Sequence, residues 1–189
     1  MAKIKHAKKF DDLPTPRHTA VMDEIENEKQ TDRAVAIIGA AYVDLVLRDA
    51  ITAKMLPDVD LLTELFENRG PLQDFGARIQ VALAFGVCGP AAHHDLRTIK
   101  DIRNAFAHSA EAMDFHHEDV ARLCATLWYP KKIEFSNRPN PGTPRQQYTR
   151  AIALLTDLFL RDLMLQQRGM RREGLIMAPG PFGRGAVKK

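Results

Sequence analysis

Cysteine is scarce in this chain. Cys88 and Cys124 are the only two, and no Cys-x-x-Cys pair occurs. A disulfide scaffold and a thiolate zinc site are therefore not expected, and both thiols should be free in a reducing compartment. Long apolar runs are also missing. None reaches the roughly 18 residues that a membrane span requires. The N-terminus, MAKIKHAKKFDD, is basic but lacks the apolar segment of a secretory signal, which points to the cytoplasm. No phosphate-cradling glycine loop, no nucleophile elbow and no internal repeat can be found. Alternating apolar and polar residues never extend far enough to write a sheet. The prolines are concentrated, with four between Tyr129 and Pro144, which marks a connection rather than an element.

What is present is helical periodicity. Segments 19–30, 31–56, 59–71, 72–90, 91–109, 116–128 and 145–168 each read as a helix, with Pro57, Gly70-Pro71 and Gly89-Pro90 as stops. In the longest of the early ones, Ala34, Ile37, Ile38, Ala41, Tyr42 and Leu45 recur on one face of a 3.6-residue period and are expected to face the core. Asp44 and Arg48 stand four apart on its outside and can pair. Phe75, Ile79 and Leu83 line one side of a later helix. Ala151, Leu154, Leu155, Leu158 and Phe159 are in register in the last one. At most one short strand, KIEF at 132–135, is expected. The fold class is all-α, a single-domain bundle of about six or seven helices. Its boundaries are a flexible basic N-terminus at 1–18, a helical domain at 19–168 and a disordered basic tail at 169–189.

Charge separates the same way. The net charge is +3, but residues 1–9 carry +4 and residues 168–189 carry +5, which leaves −6 on the part expected to fold. A nucleic-acid reader normally places its basic face on the folded body. No pair of short helices with a basic second member is present, so direct sequence-specific DNA binding is not expected. The paired histidines His93-His94 and His116-His117 are adjacent, whereas ligands on a helix prefer spacing of four, so no metal and no cofactor are expected. Glu24, Glu26 and Glu28 read as a solvated face, and Trp128-Tyr129 as the seal of a helix end.

One stretch breaks the pattern. DIRNAFAHS, residues 101–109, sets Arg103, Asn104 and His108 into an apolar helix. At about 100° per residue, Leu96, Ile99, Ile102 and Phe106 fall within an arc of roughly 120°, and Arg103 falls inside it. Arg103 is therefore expected to be a buried structural anchor, paired with Asp44, Asp49 or Glu64 because an unpaired buried guanidinium is costly. Asn104 and His108 share the opposite side and are expected to line a groove.

GPLQDFGARIQVALAFGV followed by HDLRTIKDIRNAFAHS resembles the mannitol operon repressor (MtlR-like) family over roughly residues 30–128. The matching positions are Gly70, Pro71, Leu72, Arg78, Ile79, Asp95, Leu96, Ile102, Arg103, Asn104, Phe106, Ala107 and His108. Lys100 stands where the family more often has arginine. The resemblance implies an all-helical homodimer, a transcriptional regulator acting through a protein partner, and places Arg78 with Asn104 and His108 in the interaction groove. No catalytic residue and no enzyme activity are expected on that reading. A second resemblance, of RNAFAH to the Arg-x4-6-His pattern of HEPN-type helical domains, implies a metal-independent ribonuclease. There His108 would act as acid or base, Arg103 would stabilise the phosphorane and Asn104 would orient phosphate.

Overall fold

The structure is a computed structural model that describes residues 16–133 and 141–167. Eight helices follow one another: α1 (Pro16–Glu26), α2 (Asp32–Thr52), α3 (Val59–Phe66), α4 (Phe75–Ala84), α5 (Pro90–His108), α6 (Glu118–Cys124), the single turn α7 (Tyr129–Lys132) and α8 (Pro144–Gln167). No strand occurs among the described residues, and the all-α bundle is as expected. The extra helix is α7, one turn begun by the Tyr129-Pro130 pair. Among the described residues no helix is long and apolar enough to cross a membrane. The expected strand lies mostly outside the described residues, as do residues 1–15 of the N-terminus and the tail at 169–189. Pro16 to His18, assigned to the flexible N-terminus, instead form the first turn of α1, where proline's missing N–H costs nothing.

Local chemistry sets the helix starts. Thr31 accepts from Ala34 N at 3.2 Å, Asp58 from Leu61 N at 3.0 Å and Asp74 from Gly76 N at 2.6 Å, each satisfying a first-turn N–H that the helix itself cannot. Segment 72–90 is accordingly not one helix. Asp74 delays its start to Phe75, and Gly86, with φ +64°, turns the chain after Ala84. Gly89-Pro90, expected to stop that helix, opens α5 instead, with proline at its first position. Gly70 sits where a Cβ would lie 2.1 Å from the Glu64 carbonyl oxygen, so no other residue fits that turn.

The long helix α2 is the axis of the bundle and packs against α1, α4, α5 and α8. α8 runs alongside it in the same direction: Arg145 bonds Asp32, the Tyr148 hydroxyl donates to Ala36 O at 2.7 Å, and Ile152 lies against Gly39. α5 runs opposite, its C-terminal end tied to the start of α2 by Arg33. The core side of α2 is Val35, Ala36, Gly39, Ala40, Tyr42, Val43, Val46, Leu47, Ala50 and Ile51. This corrects the face read from periodicity. Of that set only Tyr42 is buried; Ile37 is 38% exposed, Ala41 is exposed, and Ala34, Ile38 and Leu45 are half-buried. A helix apolar all round offers more than one stripe at the same period, and only packing chooses between them.

Candidate functional site

α5 supplies the site. Its buried side is Ala91, Ala92, Asp95, Leu96, Thr98, Ile99, Ile102 and Phe106. The Phe106 ring packs at a tilt against Phe115, with ring centroids 5.0 Å apart, and Phe115 likewise against Tyr148, so the far end of α5 is tied to α8 through aromatic contacts. The segment that follows is held just as firmly. Arg33 donates to the Ser109 carbonyl at 3.0 Å and to the Glu111 carbonyl at 2.9 Å, and Asp32 accepts the Phe115 N–H at 2.8 Å. The last turns of α5 therefore present their outer side chains from a fixed base.

Asp95 is the buried acid of this helix. Its two carboxylate oxygens accept the Trp128 and Tyr129 N–H groups at 2.7 and 2.9 Å, docking the start of α7 onto α5. Desolvation pushes its pKa up to about 6, against the pull of those two backbone donors. The same desolvation lifts the Cys88 and Cys124 thiols to about 12; both are free and buried, which keeps them unreactive.

Arg103 is not in the core. It is exposed, and its Nη1 donates to Asn104 Oδ1 at 2.9 Å. The reason is geometric. The buried arc of α5 centres near Ile102 and Phe106, and Arg103 lies about 60° away at its edge. From there a long side chain can follow the surface and leave its charge in water. The buried guanidinium belongs to Arg78, which the resemblance places in the groove and which is only 8% exposed. Its Nε and Nη2 donate to both oxygens of Asp44, at 2.7 and 2.5 Å, and its Nη1 donates to the Leu72 and Gln73 carbonyls at 2.6 and 2.8 Å. Asp44 thus serves Arg78, and neither Arg48 nor Arg103. Arg48 instead reaches Glu67 at 3.3 Å and lies over the Phe66 ring. A sequence signal for Arg78 existed: Phe75, Arg78, Ile79 and Ala82 share one helical face, so the arginine interrupts a core stripe.

Asn104 is half-buried and His108 exposed, both on the outward side of α5, and Arg103 joins Asn104 there. The structure adds residues that the sequence reading did not join to them. His93, Arg97 and Lys100 share the face of Asn104 and His108 at spacings of four, three, four and four, which is the repeat of one helix side. Lys100 is half-buried: its ammonium approaches its neighbour Asp101 at 3.6 Å, and its side chain lies over Gly76 at the start of α4. Arg97, Arg103 and His108 form no ion pair among the described residues. Burial, with the nearby Arg97 and His94, holds the His93 pKa below its ordinary value. Among the described residues no group of three histidine, cysteine or carboxylate side chains could hold a metal ion.

A solved structure shares this architecture. The chain is similar to a chain of the X-ray structure of the MtlR–HPr complex from Escherichia coli, with a TM-score of 0.53 and 17% identity, covering 77% of this chain and 94% of that one. At that identity the likeness is one of fold, and it supports a distant MtlR-like arrangement of helices. No protein-family profile matches the chain, and no curated protein does.

Proposed function

We propose that this protein is a regulator of the MtlR-like kind, working by holding another protein rather than by catalysis or by direct reading of DNA. The observation that carries the proposal is the outer side of α5. At the end of a rigidly seated helix Arg103 and His108 are exposed and Asn104 is half-buried, and among the described residues none of the three bonds to a core side chain. Polar side chains held rigid at no benefit to the core are suited to recognition. The shared fold lends weight, since the similar structure is that of a complex between two proteins. Arg78 is withdrawn from the groove, because its guanidinium is consumed by Asp44 and two carbonyls.

The reading includes a homodimer, supported by the outer stripe of α2. Ala34, Ile37, Ile38, Ala41 and Leu45 follow one another at helical spacing; Ile37 and Ala41 are exposed and the other three half-buried among the described residues. The ribonuclease reading draws on the same α5 end, because Arg103, Asn104 and His108 are all accessible within its last turns.

Tagged protein recovered from its own cells tests the proposal. An Asn104→Ala/His108→Ala variant should lose the co-purifying partner with an unchanged melting temperature, and sedimentation of the same preparations should report a dimer. Retention of the partner at wild-type level would count against the site. Cleavage of mixed single-stranded RNA by the wild type, abolished by His108→Ala alone, would replace this reading with the nuclease.

A further inference from the structure

We infer that the outward side of α5 docks an acidic protein surface, with Arg97, Lys100 and Arg103 supplying the charge; this rests on the partner-holding function proposed above. These three cations lie on or beside one helix face, flanked by His93 and His108. From His93 to His108 the face runs about 22 Å. That length suits one side of a standard interface, about 800 Å² per partner.

The chemistry of the face is donor-rich. Asn104 Oδ1 already accepts from Arg103 Nη1, which leaves the two donors of the amide NH2. The remaining Arg103 N–H groups, the Arg97 guanidinium and the Lys100 ammonium accept nothing. A ligand that satisfies such a face must bring acceptors. Holding Arg103 against Asn104 also restricts its rotamers before binding, and an ordered guanidinium is well shaped for two-point contact with a carboxylate.

The surroundings favour a folded acidic partner over a nucleic-acid strand. Asp101 borders the cations on α5 itself, and α6, which packs on α5, begins with the exposed Glu118 and Asp119. A polyanion tracking past the stripe would meet these carboxylates. A protein presenting one acidic ridge of matching length would not, and like-charge contact outside the ridge would reject wrong registers.

The test is fluorescence anisotropy of the full chain with two labelled probes, a glutamate-rich helical peptide and poly(U) RNA. The comparison is between wild type and Arg97→Ser/Lys100→Ser/Arg103→Ser. Arg97 and Arg103 are exposed and Lys100 is half-buried over Gly76, and none of the three bonds to a core group among the described residues, so helicity should be unchanged and the melting temperature nearly so. The basic termini remain in both proteins and set the background. Wild type should bind the peptide in a salt-sensitive way, and the triple variant should bind it about tenfold more weakly, as expected for two exposed charges and one half-buried one. Equal peptide binding by the two proteins, or no binding by the wild type, would overturn the inference. So would poly(U) binding that depends on the three cations while peptide binding does not. Loss of the cellular partner on changing Asn104 and His108 is read separately, so the docking function can stand even if the acidic partner fails.

Discussion

Arg78 and Arg103 sit on adjacent helices, and the protein around them is built differently. Around Arg78 every nearby acceptor is turned inward: two oxygens of Asp44 from α2 and two carbonyls from the α3–α4 connection close on one guanidinium. Arg103, which is exposed, donates a single hydrogen bond, to the neighbouring Asn104 amide. The first arrangement joins three parts of the chain and is worth its desolvation because nearly every donor is used. The second joins nothing within the fold. One arginine belongs to stability and the other to the surface, and the difference lies in what faces them rather than in the residues themselves.

Removing a buried partner while leaving its opposite charge should give the largest effect. Arg78→Met strands Asp44 and two carbonyls, and is expected to lower the unfolding free energy by about 3–5 kcal/mol in urea or guanidinium titrations. Adding Asp44→Leu to it should recover much of that loss, since the stranded charge goes. A change below about 1 kcal/mol in Arg78→Met would show that water reaches Asp44 freely, and the contrast between the two arginines would vanish.

Asp95 gives an intermediate case, buried like Arg78 but with no ion-pair partner among the described residues. Its pKa of about 6 in the folded chain lies above the ordinary 3.8. The folded state then binds the proton more tightly than the unfolded state does. This group's contribution to stability is full below pH 4 and is lost as pH rises through 6, a span of about 3 kcal/mol at roughly 1.4 kcal/mol per unit. Asp95→Asn should remove that slope while keeping one acceptor for the Trp128 or Tyr129 N–H. Stability curves of the two proteins that run parallel from pH 4 to pH 7 would show that Asp95 keeps its charge throughout.

The helices were legible because their signals are local: periodic apolar residues, Thr31, Asp58 and Asp74 ahead of the first turns, and prolines at the breaks. The α5 wheel sets Asn104 and His108 opposite the core arc; in the structure Asn104 is half-buried and His108 exposed. What the wheel could not supply was depth. Arg103 and Leu96 fall near one another in angle, yet Leu96 is fully buried and Arg103 is exposed, because a long cation at the edge of an arc escapes and a leucine gains by staying. Choosing Asp44's partner needed the position of α4 beside α2, which no spacing within one helix encodes. The same limit applies to α2 itself, where two apolar stripes competed and the neighbours α5 and α8 decided between them.

The smallest expected effect falls on Arg103. Replacing it with methionine removes an exposed charge and one hydrogen bond to Asn104, so the unfolding free energy should change by no more than about 0.5 kcal/mol. The change is informative because it is small: a buried anchor at this position would show a loss like that of Arg78→Met. Measured side by side in one denaturant series, the two substitutions separate an arginine that holds the bundle together from one held out by it. A loss above about 2 kcal/mol at Arg103 would place its guanidinium in the core in solution, and would remove the central cation from the face on which the acidic partner is proposed to dock.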